Sequence, residues 1–266
     1  MPGSDSEFVR ESGRLADILR EAGEIALKTF RGEIRSWTKE HNSPVSEADI
    51  AVDTFLRERL SRPDIGWLSE ESTDDLKRLD SERIFIVDPI DGTRSYLAGR
   101  EDWSIAAALV ERGRPVAAAI YAPALCEMYV AAAAGGATRN GARIEATGGA
   151  SLDGARIAGP QRYLDRIAKT EPGAVAVPKI HSLALRLARV AGGQIDAAFA
   201  SVNARDWDLA AADLLVHEAG GAMTGVSGEP LVYNLHNPVH GALIAAGRAR
   251  HDTLIGLVRE RWKSLS

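Results

Sequence analysis

Two early segments of the chain carry apolar residues at helical spacing. Between Phe8 and Phe30 such residues recur every three or four positions, and Gly32 is a suitable end for the predicted helix. A second helix is predicted from about Ser46 to Leu60. The sequence therefore predicts two amphipathic helices ahead of the first strands.

Apolar runs then predict a series of strands. Short strands are expected near Trp67 and over residues 84–87, and Asn140-Gly141 is typical of a two-residue hairpin turn. The run 131–134 is also compatible with a helix, but Gly135-Gly136 beside it favours a strand. The expected meander comprises strands at 103–110, 115–122, 128–134 and 138–144.

The pattern changes after the small-residue stretch 146–151, where strands begin to alternate with helices. We therefore expect two intimately packed halves, with an antiparallel sheet in residues 1–147 and α/β organisation in residues 148–266. The strands expected in the second half are 155–158, 174–177, 195–200 and 243–246, and the helices are 161–168, 182–191, 207–219 and 250–262.

The composition fits a soluble protein that is long enough to bury a substantial core. A net charge of −5 over 266 residues gives no electrostatic signature of binding to long nucleic acid. No apolar stretch reaches the roughly 18 residues of a membrane span, and the polar start is no signal peptide, so a cytoplasmic location is expected. The single Cys126 excludes an internal disulfide, and its apolar surroundings favour a core position over a nucleophilic one.

Asp88 and Asp91 lie three residues apart where an apolar strand meets a turn. Pro89 is expected to end that strand, so that the two carboxylates converge. Two carboxylates about 4 Å apart repel by roughly 4 kcal/mol at an effective dielectric near 20, and Mg²⁺ is a suitable neutralising ion. Gly92 and Thr93 then open a short predicted helix, whose free N–H groups suit a phosphate. The same residue types are equally typical of an ordinary turn.

Further acids lie at the ends of other apolar runs. Glu70 and Glu71 follow one run, Asp208 precedes an amphipathic segment, and Asp49 lies three residues after Ser46. Each has an ordinary alternative. The glutamates could lie in a solvated loop, Asp49 could complete a capping box, and Asp208 could be an N-terminal acid favoured by the helix dipole.

Together these motifs resemble the inositol monophosphatase family of Mg²⁺-dependent, lithium-sensitive phosphomonoesterases. The matching segments are Ser-Pro-Val-Ser-Glu-Ala-Asp at 43–49, Ser-Glu-Glu-Ser at 69–72, Asp-Pro-Ile-Asp-Gly-Thr at 88–93 and Trp-Asp-Leu-Ala-Ala at 207–211. The resemblance covers roughly residues 8–247. It implies an α+β and α/β fold, the layered αβαβα sandwich of this family, with the active site between the two halves.

The carboxylate chemistry and the resemblance together suggest a set of metal ligands. Glu70, Asp88 and the carbonyl of Ile90 would hold one Mg²⁺, and Asp88, Asp91 and Asp208 would hold a second, with Asp88 bridging. Two ions so placed can clamp the attacking and leaving oxygens of a displacement at phosphorus.

The same reasoning suggests the remaining roles. Thr93 and Glu70 would orient the nucleophilic water, and the amides of Gly92 and Thr93 would hold the phosphate. Asp49 would support a weaker third ion or orient ligand waters, and Asp208 would also lie against the substrate. The implied activity is metal-assisted hydrolysis of a small phosphorylated metabolite.

Several residues bear on the choice of substrate. Four features resemble the nucleotidase branch of the family: Arg94, residues 39–45, residues 121–123 and Ser69. Ser201 lies near the position where inositol-type members commonly carry a glutamate that accepts inositol hydroxyls. These features favour a 3′(2′),5′-bisphosphate nucleotidase that converts 3′-phosphoadenosine 5′-phosphate to AMP.

A substrate with two phosphates needs a second cationic locus beyond the metals. Lys179, Arg186 and Arg205 are candidates, although each could be a solvated surface charge. His181 is expected to pack or to donate a hydrogen bond rather than to act as a base. The alternatives are inositol-1-monophosphatase, a histidinol-phosphate or sugar phosphatase, and a non-enzymatic partner of transcription or RNA-processing machinery. The resemblance also allows a homodimer.

Overall fold

The computed structural model describes residues 2–38 and 44–261. The helices within these ranges are α1 (Pro2–Leu27), α2 (Glu47–Leu60), α3 (Thr93–Leu97), α4 (Gln161–Thr170), α5 (Leu183–Ala191), α6 (Asp206–Glu218) and α7 (Arg248–Arg261). None of them combines the length and the apolar character that a membrane crossing requires. The predicted end of the last helix at residue 262, and most of the nucleotidase-like segment 39–45, lie outside the described residues.

A seven-stranded sheet forms the larger β layer. Its strands, in spatial order, are β3 (Gly66–Ser69), β4 (Arg83–Asp91), β5 (Ser104–Glu111), β6 (Arg114–Ala122), β7 (Glu127–Ala132), β8 (Gly136–Arg139) and β9 (Ala142–Arg143). β3 pairs parallel to β4, and every later pair is antiparallel. Asn140 and Gly141, with φ of 49° and 81°, turn β8 into β9. This confirms the predicted hairpin.

A five-stranded mixed sheet forms the second β layer. Its spatial order is β11 (Val175–Ala176), β10 (Arg156–Ala158), β12 (Ala197–Ala200), β16 (Leu243–Gly247) and β14 (Gly221–Gly225). β10 pairs parallel to both of its neighbours, whereas β16 is antiparallel to both of its own. Two small ribbons pair β1 (Ser36–Thr38) with β2 (Pro44–Ser46), and β13 (Ala204–Arg205) with β15 (Val239–His240).

Helices cover both faces of both sheets. α1 and α2 pack on the outer face of the larger sheet, where Leu19 and Leu56 join Phe85 in one core. α5 and α6 lie between the sheets, and Leu187 and Leu215 of these helices are buried there. α4 and α7 cover the outer face of the smaller sheet. The order of layers is therefore αβαβα, which confirms the predicted fold class.

Two local predictions are wrong. The strand expected to end at Pro89 continues to Asp91, because a register shift against β5 between Asp88 and Asp91 accommodates the proline. Cys126 was expected in the core, but it is exposed. It occupies the turn between β6 and β7 with φ of 53°, where the backbone leaves the sheet. The boundary at residues 147 and 148 stays a prediction, and α6 packs closely against the sheet of the first half.

Candidate active site

Three aspartates converge at the irregular end of β4. Asp88 and Asp91 are buried there, and Asp208 of α6 joins them. The three residues offer carboxylate oxygens that all lie within 4.8 Å of one another. In a regular strand, residues three apart point to opposite faces, whereas the bulge between Asp88 and Asp91 re-aims one of them.

Asp91 is anchored to the start of α5. One of its oxygens, Oδ2, accepts hydrogen bonds from Ser182 Oγ at 2.7 Å and from the Ala184 N–H at 2.6 Å. Ser182 is the N-cap of α5, and its Oγ in turn accepts the N–H of Leu185 at 2.9 Å. The other Asp91 oxygen is therefore held at a defined place in the cluster.

Asp208 and Asp49 are anchored in the same way to the starts of their own helices. Asp208 Oδ2 accepts the Arg205 N–H at 2.6 Å at the start of α6. Asp49 Oδ2 accepts the N–H of Ser46 at 2.8 Å and its Oγ at 2.5 Å, which completes the capping box of α2. The capping box left open for Asp49 is therefore present, and Asp208 is the acid at a helix start that the sequence also allowed. Asp208 belongs to the cluster as well, and Asp49 lies near it.

The second oxygen of Asp49 reaches Thr93. Thr93 Oγ1 lies 3.2 Å from Asp49 Oδ1 and 3.0 Å from the carbonyl oxygen of Ile90. The hydroxyl proton of Thr93 is therefore shared between these two acceptors. Its lone pairs remain able to accept a hydrogen bond from another molecule.

Asp88 differs from its neighbours because both of its oxygens are buried without a hydrogen-bond partner. Burial, followed by the charges of Glu70 and Asp91, raises the pKa of Asp88 well above 3.8. Burial also raises the pKa of Asp91, and burial together with the Asp91 charge raises that of Asp208 to about 7. Unpaired buried carboxylate oxygens are costly, and a divalent cation would satisfy them.

A cavity of about 360 Å³ opens onto this cluster. Gly92 lies at its wall with φ of 95°, and a Cβ there would come within 3.2 Å of the Asp102 carbonyl oxygen and the Ser182 nitrogen. Glycine is therefore required at this turn. The lining residues include most of those selected from the sequence: Pro44, Glu70, Ile90, Asp91, Gly92, Thr93, Arg94, Lys179, His181 and Asp208.

Two of the basic side chains proposed to bind a second phosphate do not line this cavity. The guanidinium of Arg205 is placed over the ring of Trp207, 5.7 Å from its centroid, rather than in the wall of the cavity. Arg186 Nε is buried without a partner, and burial lowers the pKa of Arg186 although the charges of Asp91 and Asp208 oppose that shift. Of the predicted basic residues, Arg94 and Lys179 are the ones that line the cavity.

Two acids near the site were missed by the sequence analysis. Asp102 Oδ2 accepts the His181 N–H at 2.8 Å and lies 2.9 Å from its Nδ1. Although burial opposes the shift, these hydrogen bonds and one from Ser95 lower the pKa of Asp102. Asp53 bonds to the loop that carries Glu70. Its only sequence signal was its position one helical turn after Asp49.

Comparison with known proteins places this geometry in a family. The model of the inositol monophosphatase family matches residues 13–263. An inositol-1-monophosphatase from Rhizobium meliloti is 32% identical over 222 residues, which is 78% of this chain and 82% of that protein. The 3′(2′),5′-bisphosphate nucleotidase CysQ from Haemophilus influenzae is 27% identical over 230 residues, 82% of this chain and 85% of that protein.

The fold is shared with a solved structure. The extragenic suppressor protein suhB from Bartonella henselae superposes with a TM-score of 0.82 at 27% identity, covering 94% of this chain and 98% of that one. The family model spans nearly the whole chain, and the motifs it includes are those that build the acidic cluster. The chain therefore belongs to the inositol monophosphatase family of phosphatases.

Proposed function

We propose that this chain is a Mg²⁺-dependent phosphomonoesterase that hydrolyses a small phosphorylated metabolite. The observation that carries the proposal is the cluster of Asp88, Asp91 and Asp208, whose oxygens lie within 4.8 Å of one another beside a cavity. Both oxygens of Asp88 are buried and unpaired, so both would be available to hold cations.

The residues fit an oxygen-seeking ion. Asp88, Glu70 and the carbonyl of Ile90 would hold one Mg²⁺, and Asp88, Asp91 and Asp208 would hold a second. Bound there, Mg²⁺ would stabilise charge on the phosphate and lower the pKa of a coordinated water. Both Asp49 oxygens already accept hydrogen bonds, so we assign Asp49 to orienting Thr93 rather than to a third ion.

Thr93 and Glu70 would direct the attacking water. Thr93 gives its proton to Asp49 or to the Ile90 carbonyl, so its oxygen can accept a hydrogen bond from a water in the cavity. Glu70 lines the same cavity and can accept the water's other proton. The amides of Gly92 and Thr93, at the start of α3, would donate to phosphate oxygens.

For the substrate we propose a nucleoside bisphosphate such as 3′-phosphoadenosine 5′-phosphate. Arg94 and Lys179 both line the cavity and would supply the positive charge that a second phosphate needs. The relative named as a bisphosphate nucleotidase supports this choice. The relative named as an inositol-1-monophosphatase has the higher identity, so that activity is the second candidate.

Purified protein should be offered 3′-phosphoadenosine 5′-phosphate, inositol 1-phosphate, histidinol phosphate and fructose 1,6-bisphosphate, with Mg²⁺ and with EDTA. We expect Mg²⁺-dependent release of phosphate, with the highest kcat/KM for the first substrate. Asp88→Asn and Asp91→Asn should each lose at least about a hundredfold in turnover while remaining folded. A preference for inositol 1-phosphate would reject the nucleotidase assignment alone, whereas EDTA-resistant hydrolysis would reject the metal mechanism.

A further inference from the structure

One face of α2 carries two carboxylates directed at different parts of the site. Asp49 and Asp53 are four residues apart, and such residues lie on the same side of a helix. Both are buried. Asp49 contacts Thr93, whereas Asp53 contacts Ser69 at the end of β3 and Ser72 in the loop that carries Glu70.

Asp53 holds that loop on both sides of Glu70. Its Oδ1 accepts a hydrogen bond from Ser69 Oγ at 2.5 Å, and its Oδ2 accepts one from Ser72 Oγ at 2.8 Å. The two serines immediately flank the Glu70-Glu71 pair. The carboxylate therefore fixes both ends of a four-residue segment.

The hydrogen bonds around Asp53 form a consistent directional network. Each serine hydroxyl has one proton and gives it to Asp53, so each oxygen can only accept from elsewhere. Ser69 Oγ accepts the Glu71 N–H at 3.3 Å, and Ser72 Oγ accepts Trp67 Nε1–H at 3.3 Å. A shorter side chain at position 53 would leave both serine hydroxyls without their common acceptor, and an amide would keep only one of the two acceptor oxygens.

The segment is also joined to the strand that carries Asp88. The Glu70 N–H lies 3.4 Å from the carbonyl oxygen of Val87, the residue before Asp88. Glu70 also lines the cavity beside Asp91 and Asp208. A shift of the segment would therefore alter the separation of Glu70 and Asp88.

We propose that Asp53 is a positioning residue, which fixes Glu70 opposite Asp88 and thereby sets the affinity of the site for divalent ions. The inference rests on the proposed metal site and adds a residue from outside its ligand set. α2 then orients two partners of the reaction at once, Thr93 through Asp49 and Glu70 through Asp53. A purely structural Asp53 would affect unfolding but leave the binding of Mg²⁺ unchanged.

The test is direct Mg²⁺ binding by titration calorimetry, together with the Mg²⁺ concentration needed for half-maximal hydrolysis. In Asp53→Ala we expect Mg²⁺ to bind about ten- to a hundredfold more weakly, with turnover at saturating Mg²⁺ within a few fold of wild type. Asp53→Asn keeps one acceptor oxygen, so its Mg²⁺ affinity should lie between those of the wild type and Asp53→Ala. Glu58→Ala, an exposed position on the same helix, is the matched control and should bind Mg²⁺ normally.

The flanking serines make the test independent of the stability of Asp53→Ala. Ser69→Ala and Ser72→Ala should each weaken Mg²⁺ binding, and the effect of adding either change to Asp53→Ala should be much smaller than its effect alone. Normal Mg²⁺ affinity in Asp53→Ala, or in both serine variants if Asp53→Ala does not fold, would overturn the inference and leave the phosphatase proposal standing. Failure of the wild type to bind Mg²⁺ would overturn both.

Discussion

Replacing Asp88 with Asn should stabilise the metal-free protein while removing its metal-dependent activity. Asn has nearly the size of Asp but carries no charge. Both Asp88 oxygens are buried without a partner, so the substitution breaks no hydrogen bond that Asp88 makes. The variant therefore separates the cost of the carboxylate in the metal-free protein from its use in binding an ion.

The expected gain in stability follows from the distances between the carboxylates of the cluster. Asp88, Asp91 and Asp208 have oxygens within 4.8 Å of one another. At that separation and an effective dielectric near 20, two charges repel by about 3 kcal/mol. Because the pKa of Asp208 is raised to about 7, the three are not all fully charged near neutral pH, so we expect relief of about one such repulsion. For a chain of this size that gain raises Tm by at least about 5 °C.

The effect should depend on pH in a defined direction. The pKa values of Asp88, Asp91 and Asp208 are raised above 3.8, that of Asp208 to about 7, so ionisation is costlier in the folded state than in the unfolded state. The metal-free wild type should lose stability as pH rises from about 4 through about 7. Asn cannot ionise, so its advantage should grow as pH rises from 5 to 8.

Thermal unfolding followed by circular dichroism, in EDTA and in Mg²⁺, measures this directly. Asp64→Asn, at an exposed position, is the control and should leave Tm unchanged at both pH values. Mg²⁺ should raise the Tm of the wild type and not that of Asp88→Asn. If Asp88→Asn in EDTA at pH 8 is no more stable than the wild type, the repulsion assigned to the cluster is wrong.

Four further changes test three residues beside the cluster and His217 in the last turn of α6. His181 lines the cavity, so His181→Ala should raise KM about tenfold in steady-state kinetics, with a smaller effect on kcat. Asp102 holds His181 in place, so Asp102→Asn should raise KM as well, but by less. Gly92→Ala should cost about 1–3 kcal/mol in urea unfolding, because its φ of 95° disfavours a Cβ. The hydrogen bond to Asp213 raises the pKa of His217, so His217→Gln should destabilise at pH 6 and have little effect at pH 9 in the same assay.

Much of the fold could be predicted because its elements have a clear period. The apolar spacing of α1 and the apolar runs of β4 to β6 are local signals, and the predicted helix from Ser46 coincides with α2. The ribbon strands β1, β2, β13 and β15 are only two or three residues long and depend on partners elsewhere in the chain. β14 was missed because it is short and has a glycine at each end.

The residues of the site likewise fall into those with a local sequence signal and those without one. Asp88, Asp91 and Asp208 could be found because each lies at the end of an apolar run or at a helix start, in motifs that can be recognised locally. Asp53 and Asp102 could not, because their roles depend on distant partners. Asp53 bonds to a serine 16 residues away, and Asp102 bonds to a histidine 79 residues away. Contacts of that kind exist only after folding.

The helix starts explain why the cluster can form and also why it needs an ion. One oxygen each of Asp49, Asp91 and Asp208 accepts a backbone N–H at the start of a helix. The helices are α2, α5 and α6, respectively. Each such terminus stabilises a nearby negative charge by about 0.3–1 kcal/mol. That is less than the repulsion of about 3 kcal/mol between one pair of charges in the cluster. Asp88 has no helix start of its own, so we expect bound cations to supply most of the missing stabilisation.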